Sequence, residues 1–290
     1  MKHYDSETLK KVQSYELSIL KDFVKICEEN DLTYFGIAGT GIGAVRHGGF
    51  IPWDDDIDIG ILRKDLYKLI EIIERDYSDK YYILNAENNP TFPLTTTYMC
   101  IKGSAFVPES LKESKCPYGL FLDLFPFDIC AKDEKTFKKQ MKTPWLFSKL
   151  LILRHLPFPV VPFYGFKAKL AHAATAVVHF GMKLFRISHK FLYNKIKNIS
   201  CKNNDDPNPD AYAFFCGTRV YNNYFKAEDL FPLKKLRFED IEINFPNHLE
   251  KNLTFIYGDY MQLPPEEKRK NHYPYILKFP EENVKEEVDS

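Results

Sequence analysis

Residues 39–65 read GTGIGAVRHGGFIPWDDDIDIGILRKD, and this stretch decides the fold. From Asp56 onward the sequence alternates carboxylate and isoleucine, which is the period of a half-buried β-strand. Successive side chains of a strand point to opposite faces, so Asp56 and Asp58 are expected to share one face. If the strand extends backwards, Asp54 joins that face. The stretch therefore predicts a row of carboxylates along one side of a strand.

This row of carboxylates indicates a metal site. Two carboxylates one repeat apart repel each other unless a cation lies between them. Oxygen ligands suit Mg²⁺ or Mn²⁺, and Mg²⁺ is typically held by one or two carboxylates plus substrate phosphates. The alternative is a solvated edge strand, or aspartates that cap a turn. An apolar strand and a helix follow directly, which favours a metal held by Asp54, Asp56 and Asp58.

A glycine-rich turn precedes the carboxylates. Gly39, Thr40 and Gly43 lie between a buried strand predicted at 33–38 and a short helix. Backbone N–H groups at such a helix start favour phosphate. The pattern GxxxxGK[ST] is absent, so the turn is not a P-loop. Together with the acidic strand, the turn is expected to position the phosphates of a donor.

The whole chain predicts a mixed α/β core with a helical insertion. The predicted helices lie at 5–30, 63–76, 135–155, 166–198 and 247–257, and the predicted strands at 33–38, 56–62, 81–85, 94–101, 104–107, 119–124 and 236–245. We divide the chain into a catalytic core at 1–134, an insertion at 135–204 and a C-terminal part at 205–290 that returns to the core. The acidic tail from Glu281 is expected to be frayed.

The insertion is strongly cationic, although the 290 residues carry no net charge. Residues 135–204 contain 14 Lys or Arg and no Asp or Glu, together with many apolar and aromatic side chains. Cationic amphipathic helices lie in the membrane interface, where anionic lipid attracts them. The Leu- and Phe-rich composition favours this interpretation over nucleic-acid binding. A basic groove for an anionic glycan and plain helical packing stay open.

Composition excludes several classes of protein. Hydrophobic residues make up 44% and charged residues 28%, as in ordinary globular proteins. The six cysteines are scattered without a CxxC pair, which argues against a disulfide framework or a zinc cluster. The N-terminus has no signal-peptide segment, and no run of 18 uncharged apolar residues occurs. A cytoplasmic enzyme is expected, with contact to the inner face of the cell membrane through residues 135–204.

The stretch at 39–65 closely resembles the signature of the LicD family. The match from Arg46 to Asp58 has no gap, and Gly41 and Ile42 depart from it where the family usually has two leucines. Members are phosphocholine transferases of bacterial surface glycans, and the related fukutin and fukutin-related protein transfer ribitol phosphate. The resemblance implies a polymerase-beta-like nucleotidyltransferase core.

Two further blocks extend the resemblance. GLFLDLFPFD at 119–128 is similar to the family's FIDIFPLD block. This similarity implies that Asp123 is a third ligand or the base for the attacking hydroxyl, whereas the alternative is a buried structural hydrogen bond. Asp128 is expected to cap a turn. The string YGDYMQLPP at 257–265 resembles the C-terminal block. Candidates for binding the donor in and near these motifs are Arg46, His47, Trp53, Lys268, Arg269 and His272.

The resemblance also implies a reaction. A sugar hydroxyl of a cell-surface glycan, such as lipopolysaccharide or teichoic acid, attacks the distal phosphorus of a CDP-activated donor such as CDP-choline, and CMP leaves. Phosphocholine is the first expectation for the transferred group, with Mg²⁺ as cofactor and a glycan acceptor that a lipid could carry. The alternatives are transfer of ribitol or glycerol phosphate, true nucleotidyl transfer, and a non-catalytic scaffold at the membrane surface.

Overall fold

The acidic strand lies inside a mixed sheet that helices cover. The computed structural model describes residues 4–269 and 271–280. The helices in these residues are α1 Ser6–Glu29, α2 Ala38–His47, α3 Arg63–Asp76, α4 Glu134–His155, α5 Gly165–Leu184, α6 His189–Ser200, α7 Ala227–Leu230 and α8 Leu249–Tyr257. The strands are β1 Tyr34–Gly36, β2 Asp58–Leu62, β3 Tyr81–Asn85, β4 Thr97–Ile101, β5 Ala105–Pro108, β6 Phe121–Ile129, β7 Ala211–Ala213, β8 Tyr224–Lys226, β9 Lys234–Phe238, β10 Ile241–Phe245 and β11 Pro274–Lys278.

The main sheet has the strand order β1-β2-β6-β4-β3, and β7 pairs with the end of β6 and with β8. Strands β2 and β6 run parallel, while the other pairs are antiparallel. Parallel neighbours need a crossover connection. Here α3 begins that connection, and its buried face carries Leu66, Leu69 and Ile73. The predicted mixed α/β fold is thereby confirmed.

Helix α1 packs on the main core and contacts the acidic segment. Asp5 caps the helix by accepting hydrogen bonds from the amides of Glu7 and Thr8, which satisfies two of the donors that a helix start leaves free. The buried face of the helix, including Leu20 and Phe23, belongs to the main core. Farther towards its start, Gln13 donates from Nε2 to the carbonyl of Asp54 at 2.8 Å. The position of α1 therefore fixes the backbone of the acidic segment.

The backbone reverses inside two of the predicted segments. The single strand predicted at 236–245 is wrong, because these residues form the antiparallel hairpin β9–β10, in which Glu239 adopts φ 57° at the turn. Residues 166–198 are mainly helical, as predicted, and form two helices, α5 and α6. Arg186 adopts φ 52° between them, and Ser188 caps α6 by accepting from the amide of Phe191. Neither reversal uses a glycine or a proline, which are the residues that usually mark such breaks.

The helices predicted for the insertion are present as α4, α5 and α6. Helix α4 packs against α5 and α6, and α5 joins α4 through the proline-rich connection at 156–164. Across residues 4–269 and 271–280, no helix combines the length and the apolar character needed to cross a membrane. The tail from Glu281, predicted to be frayed, lies outside the described residues.

Candidate active site

Two carboxylates come together across the parallel pair of strands. Asp58, the first residue of β2, is the register partner of Asp123 on β6. The amide of Asp58 donates to the hydroxyl of Thr40 at 2.8 Å, which fixes the start of the strand. Burial, together with the neighbouring carboxylates, raises the pKa of the Asp58 and Asp123 carboxyl groups well above the usual range. Bringing these carboxyl groups together therefore costs free energy that a bound cation would offset.

The preceding carboxylates lie in an extended segment rather than in the strand. The sequence predicted a strand from Asp56, but β2 begins at Asp58. The alternation of faces nevertheless continues, because Asp54 and Asp56 are half-buried while Asp55 is fully buried. One ligand atom each from Asp54, Asp56 and His272 lie within 4.8 Å of one another. Asp54 and Asp56 therefore lie on one face, as predicted, although they precede the hydrogen-bonded strand β2.

Asp55 is a site residue that the sequence reasoning missed. Its carboxylate accepts hydrogen bonds from the hydroxyl of Tyr4 and from the amide of His272, both at 2.7 Å. Asp55 therefore ties the N-terminal segment and the C-terminal segment to the acidic loop. The period-two alternation could have identified it, because it places Asp55 on the face opposite to Asp54 and Asp56.

His272 lies against the carboxylates. Its Nδ1 atom is 3.2 Å from Asp56 Oδ2 and 3.4 Å from Asp55 Oδ1. The charge of Asp56, with the hydrogen bond to Asp55, raises the pKa of His272 to about 10. The imidazolium at neutral pH offsets part of the negative charge of the acidic loop. His272 thus lies at the carboxylates, where the phosphates of a donor would also be expected.

The residues fit a divalent cation. One buried oxygen of Asp123, Oδ1, has no hydrogen-bond partner within the described part of the chain, and such an orphaned acceptor is costly unless an ion or a donor reaches it. Asp54, Asp56 and Asp58 supply further carboxylate oxygens on the same side. An all-oxygen donor set at a phosphate site suits a hard divalent cation. These four carboxylates would hold the metal.

A cleft of about 680 Å³ opens above Asp56, Asp58 and Asp123. Its walls come from the connection before β4, from α4, from the loop between β7 and β8, and from the end of α8. Several polar wall residues were not identified from the sequence: Thr95, Thr96, Lys149, Arg219, Asn222 and Asn223. Tyr257, the first residue of the string YGDYMQLPP, also lines the cleft. The sequence could not place them, because four separate segments meet only in the fold. The cleft combines an acidic floor with basic groups on its wall.

The basic groups of the wall are Lys149 and Arg219. Lys149 projects from α4, and its amine donates to the carbonyl of Gly217 at 3.1 Å. Burial lowers the pKa of Lys149. The carbonyl of Gly217 holds the amine at the cleft, so a buried anion in the cleft would meet a positioned donor. Arg219 lies two residues farther along the same loop.

The glycine-rich segment is the start of α2 rather than a loop. Ala38 begins that helix with φ 47°, a left-handed conformation that side chains other than glycine rarely adopt, and it lines the cleft. A Cβ on Gly39 would lie 2.9 Å from a carboxylate oxygen of Asp54. A Cβ on Gly43 would lie 2.3 Å from the carbonyl oxygen of Gly49. Both glycines thus allow close packing, and the helix start faces the cleft.

The remaining donor-binding candidates form a separate cluster beside the site. The guanidinium of Arg269 lies 4.6 Å from the ring centre of Trp53, and that of Arg46 lies 6.0 Å from it. The ring of His47 meets Trp53 edge-on. Arg46 also donates to the carbonyl of Tyr260. None of these four side chains is among the described residues that line the cleft. The side chain of Lys268 lies outside the described residues.

A second, smaller cavity lies on the other side of the carboxylates. It encloses about 190 Å³ and shares Asp56, Asp123 and His272 with the cleft. Its aromatic walls are Tyr98, Phe106 and Phe121. Tyr98 stacks on Phe121 with ring centres 3.9 Å apart, and Phe106 meets Phe121 edge-on. The carboxylates therefore separate a polar cleft from a small acidic and aromatic cavity.

The expectation that Asp128 caps a turn is wrong. Asp128 lies on β6 and is almost completely buried, and its two oxygens accept from Nε and Nη2 of Arg63 at 3.0 and 2.6 Å. Asn204 donates to the same carboxylate at 2.7 Å. This ion pair connects α3, β6 and the end of the insertion. Its role is structural, and it lies outside the acidic cleft.

Comparisons with known proteins agree with this arrangement. The profile of the LicD/FKTN/FKRP nucleotidyltransferase domain matches residues 31–170. The chain is 29% identical over 281 residues to the lipopolysaccharide cholinephosphotransferase LicD of Haemophilus influenzae, which covers 93% of this chain and 98% of that protein. Both comparisons support a LicD-family phosphotransferase. An uncharacterised protein of Rickettsia prowazekii is 40% identical over 73 residues, 25% of this chain and 27% of that protein.

The LicD match covers the acidic segment, both strands of the carboxylate pair and the beginning of the insertion, ending within α5. The Haemophilus influenzae relative extends the similarity over nearly the whole chain. The region that matches the LicD model therefore contains the carboxylate pair.

Proposed function

We propose that this chain is a divalent-metal-dependent transferase that moves phosphocholine from a CDP-choline donor to a hydroxyl of a cell-surface glycan. The observation that carries the proposal is the position of the carboxylates at the junction of two cavities. A CDP-alcohol has a nucleotide, a diphosphate and an alcohol in that order. The 680 Å³ cleft suits the nucleotide, the carboxylates suit the diphosphate, and the 190 Å³ cavity suits the alcohol.

Choline is the alcohol that the smaller cavity favours. A quaternary ammonium cation is attracted to aromatic faces and to carboxylates, and both line this cavity. Ribitol and glycerol phosphates are neutral at the alcohol and need hydrogen-bond partners for their hydroxyls. The carboxylates, Tyr98 and Ser110 would provide such partners, but a neutral polyol would gain no charge attraction from the carboxylates, whereas choline would. The relative from Haemophilus influenzae is named as a cholinephosphotransferase, which supports the same choice.

The reaction forms one bond and breaks one bond. The acceptor hydroxyl oxygen attacks the distal phosphorus, the bond from that phosphorus to the bridging oxygen breaks, and CMP leaves with the electron pair. The proton of the hydroxyl passes to a carboxylate of the site, and Asp123 would take this role as the alternative to binding the metal. A bound divalent cation would neutralise charge on the phosphate oxygens. Lys149 and Arg219 would bind the nucleotide phosphate from the cleft wall.

The donor-binding assignments follow the same order. The start of α2 at Gly39 and Thr40 would orient the phosphates, with Gly43 allowing the close packing of that helix. His272 would approach the phosphates from the side of Asp56. The cluster of Arg46, His47, Trp53 and Arg269 would meet a longer ligand at the rim. Because the donor is a cytoplasmic metabolite class, the reaction is proposed to take place on the cytoplasmic side.

A thermal-shift titration tests the donor. CDP-choline, CDP-ribitol, CDP-glycerol and CMP are each added with and without Mg²⁺ or Mn²⁺, since a ligand that binds the folded state raises its stability. We expect the largest metal-dependent shift with CDP-choline and none with the Asp58→Asn variant. A shift equal to that of CMP for every CDP-alcohol would contradict recognition of the alcohol.

Product analysis tests the reaction. With a glycan acceptor and CDP-choline, the proposal requires free CMP and phosphocholine on the glycan. Transfer of CMP itself, with release of phosphocholine, would show nucleotidyl transfer. If the folded chain binds the donor but forms no product, the result would favour the non-catalytic scaffold.

A further inference from the structure

Helix α5 exposes an apolar face to solvent. Along one side of the helix the side chains at positions spaced by three and four residues are all apolar and exposed: Phe166, Leu170, Ala173, Val177, Phe180 and Leu184. We call these six residues the outer stripe. Its five large members are between 59% and 79% exposed. A surface helix normally buries such a stripe in the core.

The opposite face of α5 holds the polar side chains, and these face the protein. Thr175 donates to the carbonyl of Pro157 at 2.9 Å. His179 is buried, and its Nδ1 lies 2.7 Å from the carbonyl of Leu153. His172 contacts the carbonyl of Pro159 at 3.2 Å. The helix is therefore held in this orientation by its polar face, so its apolar face cannot turn inward without breaking these hydrogen bonds.

Exposed apolar side chains continue beyond the stripe. The connection between α4 and α5 exposes Phe158, Val160, Phe163 and Tyr164, and Phe185 follows the helix. Single exposed apolar residues are ordinary, but a contiguous patch marks an interaction site. Basic residues flank the patch and pair with no carboxylate within residues 4–269 and 271–280: Lys167, Lys169, Lys183, Arg186 and Lys190.

We propose that the outer stripe and the connection before α5 insert into the interface of an anionic bilayer and dock the enzyme on the membrane surface. Helix α5 has an apolar face flanked by lysines, and it is not long and apolar enough to cross a membrane. Such a helix typically lies in the plane of the membrane interface. The absence of any acidic residue from 135–204 gives the matching charge for anionic lipid. A second copy of the chain would face the same positive charge.

The docked orientation places the active site at the membrane. Val160, at the tip of the connection, lines a groove of about 610 Å³ together with Pro108, His272 and Tyr275. His272 also lines the catalytic cleft. A lipid-linked acceptor could therefore pass from the bilayer along this groove to the carboxylates without leaving the surface.

Vesicle flotation tests the docking. The full chain is mixed with vesicles of phosphatidylcholine alone or with phosphatidylglycerol, at low salt and at high salt. We expect flotation with the anionic vesicles, reduced by salt because exposed charges are screened. The Leu170→Ser/Val177→Ser/Leu184→Ser variant should no longer float. Replacing Lys167, Lys169 and Lys183 by Gln should lower the partition coefficient for anionic vesicles by about fivefold for each lysine.

A control variant distinguishes membrane binding through the outer stripe from nonspecific adsorption of exposed apolar side chains. Phe255 on α8 is 69% exposed and lies outside the stripe, so Phe255→Ser should float like the unaltered chain. Failure of the unaltered chain to float with anionic vesicles at low salt would overturn the proposal. A stripe-dependent dimer in sedimentation, without flotation, would also overturn it and assign the face to a second copy. Flotation needs neither donor nor acceptor, so its outcome is independent of the proposed reaction.

Discussion

Asp58 and Asp123 are directly paired across the parallel strands β2 and β6. Each belongs to a different sequence block, and 64 positions separate them along the chain. Both residues are half-buried, and the partial loss of hydration together with like charge nearby raises the pKa of each carboxyl group. This costs folding free energy, which a divalent cation would recover by neutralising the pair. The pair therefore connects the stability of the protein to the metal.

The first prediction concerns this pair. Asp58→Asn and Asp123→Asn should each lower turnover by at least about a hundredfold, as does the loss of one group that stabilises transition-state charge. Without metal, each variant should unfold at the same temperature as the unaltered chain or higher, because a buried repulsion is removed. Turnover assays and thermal unfolding with and without Mg²⁺ check both effects. A variant that keeps full turnover would exclude its aspartate from the site.

The second prediction concerns the cleft wall. Lys149→Met keeps most of the side-chain length but removes the charge that we assign to the nucleotide phosphate. A hydrogen bond to a charged group contributes about 1.5–3 kcal/mol, so the KM for the donor should rise by roughly tenfold or more while kcat falls less. Arg219→Met should act in the same direction. Lys142→Met, which alters an exposed lysine of the same helix, is the control and should change neither constant.

The sequence predicted the acidic floor of the site but not its walls. Asp54, Asp56 and Asp58 are found from a local period of two, because alternation depends only on neighbouring residues. Lys149, Arg219 and Tyr257 come from three distant segments that meet through the packing of α4, the β7–β8 loop and α8. No local pattern records that meeting. Strands β7, β8 and β11 were also missed. Strand β7 pairs with β6 and β11 pairs with β5, both far away in the chain, and β8 joins the sheet only through β7.

The backbone reversals were missed for another physical reason. The sequence signals for a chain reversal are glycine, proline and asparagine, since these tolerate or fix unusual dihedral angles. Glu239 and Arg186 adopt positive φ without being any of these residues. In both places the surrounding contacts impose the conformation: the amide of Glu239 donates to the carbonyl of Gly48 at 2.8 Å, and that of Arg186 to Lys183 at 3.1 Å.

The third prediction concerns the buried ion pair of Arg63 and Asp128. Arg63→Met leaves the carboxylate buried without its main partner, and breaking a buried pair in this way costs about 3–5 kcal/mol. The double variant Arg63→Met/Asp128→Leu should recover most of the lost stability, because no charge is left unpaired. Denaturant unfolding measures both. Arg75→Met, which breaks an exposed pair with Asp76, should leave the unfolding free energy unchanged, and an equal loss there would contradict the argument from burial.

The fourth prediction concerns Glu16, which faces the acidic site from α1. Glu16 is fully buried, and neither carboxylate oxygen has a hydrogen-bond partner in the part of the chain that the structure describes. Burial, with the charges of Asp56 and Asp55, raises the pKa of Glu16 well above the usual value. The folded state thus holds a proton that the unfolded chain releases, so this group lowers stability progressively as pH rises above the unfolded pKa of about 4.3.

Glu16→Gln keeps the shape of the side chain and removes this titration. With a chelator present, the variant should be more stable than the unaltered chain at pH 8, and the difference should shrink as the pH is lowered to 5. Denaturant unfolding across this range measures the difference. Glu29→Gln alters an exposed carboxylate of the same helix and should give no such pH-dependent gain. If the difference in unfolding free energy between Glu16→Gln and the unaltered chain stays constant from pH 5 to 8, folding does not change the pKa of Glu16 and the prediction is wrong.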